Sequence, residues 1–311
     1  MPEEDPSGRG GATRAGHIAM VGRPNAGKST LLNAFLGEKL SIVTPWAQTT
    51  REVVAGILTV PGAQAVFVDS PGLLEPRYAL QQAMLDAALA AVADADVVLL
   101  VLDATRPGDL PTGVGLDAVR RRASDLVVAV NKIDAAGCEI VDELDGWSRR
   151  ELGTDSHQVS ALTGQGVEVL RDALVGALPR NPFFYPEDEV AVQPVRFFVA
   201  ELVRETILEE YEQEVPYATV VRIEEYREAA DPIYIRATIY VERESQKPIV
   251  IGQGGARIKR LGERSREKIE AFIGARVYLD LWVKTLPGWR KKASALRHLG
   301  FSVRDRSKGE R

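Results

Sequence analysis

The sequence predicts two domains in series, an α/β domain on a mostly parallel six-stranded sheet and then a smaller α+β domain. Three observations carry that expectation. Through the first 178 residues, short β-rich apolar runs alternate with longer helical patterns, the order that gives a parallel sheet covered on both faces. Pro179, Pro182 and Pro186 then end the pattern, because proline cannot continue a helix. Beyond them the order of elements changes. At 311 residues the chain has room for two cores, each serving roughly 100 to 200 residues.

Taken in order, residues 1–15 are acidic and then rich in Gly and Arg, and read as a disordered leader rather than a signal peptide. The first domain, 16–178, has expected strands at 17–21, 52–59, 65–68, 97–102, 126–130 and 156–159. Helical patterns fall at 29–36, 80–93, 113–122, 139–151 and 167–178. Only the turn at Pro61-Gly62 separates the second and third strands, so they should form an antiparallel hairpin. The run from Val97 to Leu102 is continuously apolar, as a central strand buried on both faces should be. Residues 179–193 read as a linker, 194–301 as the second domain and 302–311 as a basic tail. The second domain reads as a helix (195–210), two strands (217–225 and 233–242) and a helix-glycine-helix segment (247–273). A strand (275–284) and a terminal helix (289–298) complete it. No internal repeat is present, which excludes a duplicated copy of the first domain.

Composition narrows the function. Apolar residues at 45% and charged residues at 27% fit a soluble globular protein, and no apolar run reaches the roughly 18 residues that span a bilayer. The single Cys138 cannot form an internal disulfide, which suits a reducing cytoplasm. His17, His157 and His298 lack metal-ligand spacing, which argues against zinc or histidine-based chemistry. Net charge is −5 but unevenly spread. From Lys247 onward there are 17 Lys and Arg against 6 Asp and Glu, a net of +11; the first 246 residues carry −16. A basic end on an acidic body points to a module that faces nucleic acid or membrane.

Gly22, Arg23, Pro24, Asn25, Ala26, Gly27, Lys28 and Ser29 match G-x-x-x-x-G-K-[ST] between an expected strand and helix, and Thr30 follows in the same phosphate-binding turn. Backbone N–H groups there would wrap a triphosphate, Lys28 would meet its β- and γ-phosphates, and Ser29 would ligate Mg²⁺. Asn131, Lys132 and Asp134 form an Asn-Lys-x-Asp motif at a strand end. The Asp134 carboxylate can accept from N1–H and the exocyclic amine of guanine, which adenine does not offer; the Lys132 stem would cover the base. Ser160, Ala161 and Leu162 follow the last strand, where a backbone N–H could meet the guanine oxygen.

In Asp69, Ser70, Pro71 and Gly72, Asp69 would be the carboxylate that meets Mg²⁺ through a water or an outer contact, and the Gly72 N–H a γ-phosphate sensor. Gln48, Thr49, Thr50 and Arg51 lie in a polar loop, from which Thr50, favoured over Thr49, would complete the metal shell. The loops 37–51 and 70–81 are therefore candidate switches. A water-orienting glutamine is expected after Gly72, but the position holds Leu73, so intrinsic hydrolysis should be slow. Arg51 is a candidate charge stabiliser. Asn25 resembles the asparagine that ligates K⁺ in a subset of GTPases; the alternative reading is a turn cap.

Ile251, Gly252, Gln253, Gly254, Gly255, Arg257, Ile258, Lys259 and Arg260, with Lys247 ahead of them, place a GxxG loop between two helices. The element order around it is that of a type II KH domain, which clamps about four unpaired nucleotides. In this reading the cations contact phosphates, and Ile251 and Ile258 line an apolar groove for bases. An α/β P-loop GTPase domain carrying these switch motifs, followed by one α+β KH domain, resembles the Era family of bacterial ribosome-assembly GTPases from about residue 16 to 301. Residues 242–247, Leu281-Trp282-Val283-Lys284, Gly288-Trp289 and 296–300 share in the likeness. The resemblance implies GTP hydrolysis, binding near the 3′ end of 16S ribosomal RNA on the 30S subunit and no DNA partner. It also implies a cytoplasmic location with peripheral association at the inner membrane. Other readings are an RNA-binding protein that uses nucleotide as a sensor, or a GTPase of tRNA modification or membranes in which Trp289 to Lys292 faces lipid.

Overall fold

The apolar runs become strands because their side chains have partners on both sides, as the computed structural model shows for residues 13–44, 46, 48–122 and 125–303. The first sheet has the order β2-β3-β1-β4-β5-β6, formed by β1 (Arg14–Gly22), β2 (Val54–Val60), β3 (Ala63–Asp69), β4 (Val97–Asp103), β5 (Leu126–Asn131) and β6 (Ser156–Gln158). All neighbours are parallel except the β2–β3 hairpin. One face packs against α1 (Lys28–Leu36) and α5 (Val167–Ala177). The other packs against α2 (Ala79–Asp94), α3 (Gly113–Arg120) and α4 (Cys138–Leu152). β4 is buried at every position, in keeping with its unbroken apolar run.

The second domain contains α6 (Val195–Glu210), α7 (Val215–Ala218), β7 (Thr219–Arg227), β8 (Ile233–Val241), α8 (Gln246–Ile251), α9 (Ala256–Ile273) and β9 (Val277–Thr285). Its sheet runs β7-β8-β9, antiparallel and then parallel, with α6 and α9 over one face. This is the expected pairing of a P-loop GTPase fold with a KH fold.

Several boundaries differ from the sequence reading. β1 begins at Arg14, inside the segment read as a leader, because Arg14 and Ala15 pair with Ala63 and Gln64; residues 1–12 of that leader lie outside the described residues. The strand expected from 217 starts at Thr219, since Val215–Ala218 first make a helical turn. The terminal helix breaks at the extended residue Lys292, giving a 3-10 turn (Trp289–Lys291) and then α10 (Ala293–His298).

The linker 179–193 lies along the first domain. Ile57 N–H donates to Val190 O (2.9 Å), Val192 N–H to Ala55 O (3.1 Å), and Gln64 holds the backbone at Phe184 and Tyr185. Of the basic tail, 304–311 lies outside the described residues. A fourth apolar cluster joins the domains: Leu80 and Met84 of α2 pack with Val220, Trp289, Leu296, Leu299 and Phe301.

Candidate nucleotide site and nucleic-acid interface

The candidate groups gather at the carboxyl edge of the parallel strands, where sheets of this kind open. β1 runs into the loop at Gly22, β3 ends at Asp69, β4 at Asp103 and β5 at Asn131. A cleft of about 400 Å³ lies there, lined among others by Asn25, Lys28, Thr30, Gly72 and Lys132. Two glycines are required by space as well as conformation. Gly22 has φ 152°, and a Cβ on it would come 2.3 Å from Val101 O; Gly27 has φ 92°, and its Cβ would come 2.2 Å from Asn131 Nδ2. Ala26 is buried between them, and Pro24 backs Gly72 so closely that a Cβ there would lie 2.6 Å from the proline nitrogen.

Lys28 is buried, and its ammonium donates to the carbonyls of Gly22 (3.3 Å) and Arg23 (3.1 Å). Burial pushes its pKa down to about 8, opposed by the Asp69 carboxylate. Ser29 Oγ donates to Asp69 Oδ2 (2.6 Å) and lies 3.0 Å from Thr50 Oγ1, while Ser41 Oγ also donates to Oδ2 (3.3 Å). Thr49 Oγ1 is occupied elsewhere, with Thr44 Oγ1 (2.8 Å) and Trp46 O (2.7 Å). Burial raises the pKa of Asp69, whose Oδ1 is buried without a hydrogen-bond partner. Two hydroxyls and an orphaned carboxylate oxygen are hard donors suited to Mg²⁺.

On the base side, Asn131 ties three loops together: its Nδ2 donates to Ala26 O (2.9 Å) and its Oδ1 accepts from Ala161 N–H (3.0 Å). That commits the Ala161 N–H to the protein. Ser160 is buried, its Oγ accepting from Thr163 N–H (3.1 Å), and Leu162 is exposed. Lys132, at φ 66°, donates to Asn25 O and Asp103 Oδ2, both at 2.6 Å. Asp134 is exposed in the 3-10 turn Ile133–Ala135.

Both candidate switches are anchored to the rest of the protein, and Arg51 departs from the sequence reading. Leu73 is 2% exposed and packs into the α2–α3 face of the sheet, its N–H donating to Gly22 O and its carbonyl accepting from Arg23. Ser70 is also turned inward, onto Met20 O (2.8 Å). Pro71 is buried between Ser70 and Gly72. Gln48, at φ 62°, accepts from Gln81 (3.4 Å). Arg51, expected near the phosphates, instead reaches the second domain. Its guanidinium donates to the carbonyls of Thr219 (2.6 Å), Pro216 (3.1 Å) and Tyr217 (3.2 Å). Arg204 of α6 donates to Thr49 O, and Trp46 Nε1 to Leu208 O (2.8 Å).

In the second domain, Gly252 (φ 75°), Gly254 (φ 59°) and Gly255 (φ 81°) form the loop between α8 and α9. Gln253 is exposed, and Ile251 and Ile258 are half-buried beside it. The expected cations are not equivalent. Arg260 pairs with Glu210 (2.9 Å), and Arg257 sits 5.0 Å over the Tyr211 ring. Lys247 and Lys259 form no ion pair among the described residues. Trp289, a candidate lipid contact, is fully buried, donating to Ala218 O (3.0 Å) and stacked on Phe301; it has no surface to offer a membrane. No described helix is long and apolar enough to cross one.

Sequence reasoning missed Asp103, Arg204 and Trp46. Asp103 had a signal, an acid ending a buried parallel strand. Arg204 and Trp46 had none, since their partners lie 155 and 162 residues away.

Comparison with known proteins agrees with this architecture. A family model described as a 50S ribosome-binding GTPase matches residues 17–135, and a KH-domain model matches 214–290. The chain is 39% identical over 298 residues to GTPase Era of Caldanaerobacter subterraneus subsp. tengcongensis, covering 94% of this chain and 99% of that one. It is 42% identical to GTPase Era of Pseudomonas putida over 293 residues, covering 93% and 97%. A crystal structure of an Aquifex aeolicus Era variant bound to GDP and aluminium fluoride superposes with a TM-score of 0.83, at 35% identity, covering 94% of this chain and all of that one. An Era structure in complex with MgGDPNP and nucleotides 1506–1542 of 16S ribosomal RNA gives 0.82 at the same identity and coverage.

Proposed function

Because the chain belongs to the Era family of GTPases, we propose that its GTP cycle switches its hold on 16S ribosomal RNA near the 3′ end and so assists 30S subunit maturation. One observation supports this above the others. Thr50, beside Ser29 and Asp69, sits between Thr49 and Arg51, whose backbone and side chain respectively are fastened to the second domain. A loop tied at both places can carry the state of the nucleotide to the RNA.

In this reading the loop from Gly22 to Thr30 cradles the phosphates, Lys28 binds the β- and γ-phosphates, and Gly72 N–H senses the γ-phosphate. Asp134 selects guanine, Lys132 covers the base, and Leu162 N–H remains as a donor to the guanine oxygen. Mg²⁺ held by Ser29, Thr50 and Asp69 would neutralise charge on the phosphate oxygens. Leu73 leaves no side chain to orient water, so the unassisted rate is slow. Asn25 lines the cleft, and its amide oxygen is a candidate K⁺ ligand. The RNA strand would lie along Gly252 to Gly255 with Lys247 and Lys259 at its phosphates. We assign the protein to the cytoplasm, with peripheral contact at the inner membrane.

The test measures affinity of the full chain for an RNA of the 16S 3′ end with GDP, with a non-hydrolysable GTP analogue and without nucleotide, alongside single-turnover hydrolysis with and without that RNA. Affinity should differ between the nucleotide states. Equal affinity in all three would overturn the switch.

A further inference from the structure

The outer face of the second sheet carries a group of side chains that neither the nucleotide cycle nor the GxxG loop uses. Along β8, Ile233, Ile235, Ala237, Ile239 and Val241 point inward, packing with α6 and α9. The alternate residues therefore face the other way, and the parallel register pairs Tyr234 with Tyr278, Arg236 with Asp280, Thr238 with Trp282 and Tyr240 with Lys284. Part of this face is covered, where Val220 and Tyr240 meet Trp289, Leu296 and Phe301. The rest is open. Tyr278 is 59% and Trp282 52% exposed, the largest apolar side chains left in solvent on this sheet.

These rings are held in place. Asp280 Oδ2 accepts from Tyr234 Oη (3.0 Å), Trp282 Nε1 (3.0 Å) and Arg236 Nε (3.2 Å). Tyr234 and Tyr278 stack at 5.8 Å with 13° between their planes, and Arg227 lies 4.9 Å from the Tyr234 ring. Fixed rings flanked by arginines have the makings of a base-stacking surface, because every base has a π-face and guanidinium groups also meet phosphates. Position favours the same occupant. Among the described residues β9 pairs only with β8, leaving one edge unpaired, and α8 and α9, which frame the GxxG loop, both pack beside it.

We propose that Tyr278 and Trp282 form a second RNA contact, stacking unpaired bases of the strand whose backbone the Gly252–Gly255 loop holds, after that strand has passed the free edge of β9. The proposal rests on the RNA-binding reading above and adds a site to it. RNA too short to leave the loop should not sense these rings, whereas longer RNA should.

The experiment compares the full chain with Trp282→Ala, Tyr278→Ala and Trp282→Phe, using a four-nucleotide and a twelve-nucleotide single strand from the 16S 3′ end. Each alanine variant should weaken the twelve-mer between about fivefold and a hundredfold, the usual range for one stacked base. The tetramer should bind as in wild type, and Trp282→Phe should retain most twelve-mer affinity. RNA-free GTP turnover and thermal unfolding serve as controls on folding. Unchanged twelve-mer affinity overturns the proposal, and a protein partner lost from the variants would then own the patch. Equal weakening of both RNAs also overturns it, since the rings would belong to the primary groove. Gly255→Asp tests the underlying reading separately: if it leaves both RNAs bound, the GxxG assignment fails instead.

Discussion

Replacing Arg51 by alanine separates the charge-stabilising role read from the sequence from the interdomain role that the structure gives it. Its guanidinium is buried, donates to three carbonyls of the second domain and lies 5.9 Å from the Trp289 ring. Burial, with Arg204 nearby, lowers its pKa to about 9, so it stays charged at neutral pH. A hydrogen bond from a charged donor contributes about 1.5–3 kcal/mol, and three on one group add less than their sum. Truncation also strands the carbonyls, so the expected loss is about 3–5 kcal/mol of stability. Urea unfolding followed by tryptophan fluorescence measures it, with Arg51→Lys expected to lose less. Turnover per folded molecule should fall less than about tenfold, whereas removal of an arginine finger costs about 10³-fold or more. A thousandfold loss of turnover with stability intact would refute the interdomain role.

Three other perturbations probe the site itself. Lys28 has a folded pKa of about 8 against 10.5 unfolded, so the unfolded chain binds more protons between those values and the group's contribution rises with pH across that window. Below pH 8 its burial costs about 3 kcal/mol. Nucleotide-free Lys28→Met should therefore be the more stable protein at pH 7 and lose triphosphate binding; a stability difference that stays flat from pH 7 to 10 would contradict this. Asp134→Asn should weaken GTP by about 10⁴-fold and favour xanthosine triphosphate in competition binding, and unchanged GTP affinity would refute its role. If Asn25 holds K⁺, hydrolysis should run faster in KCl than in NaCl and Asn25→Ala should erase the difference; equal wild-type rates would end that assignment.

Much of the site was legible because its determinants are local. The positive φ of Gly22 and Gly27 belongs to the loop itself, although the space around them is closed by the distant Val101 and Asn131, and Asn131 and Asp134 follow their own strand end. The alternation and continuity of apolar residues likewise reported which strands are central, because burial on one or both faces acts on each residue in turn. Boundaries were less legible where pairing overrode composition, as at Arg14.

The order of residues along the chain was enough for the fold pair, the nucleotide chemistry and the candidate guanine-selecting carboxylate. The tertiary structure decided which partner each polar group takes. It gave Thr50 rather than Thr49 to Ser29, turned Leu73 into the core and sent Arg51 to carbonyls as far as 168 residues along the chain. It also paired Arg260 with Glu210 and left Trp282 in solvent. Periodicity records how much water a side chain meets, and carries no record of which distant group replaces that water.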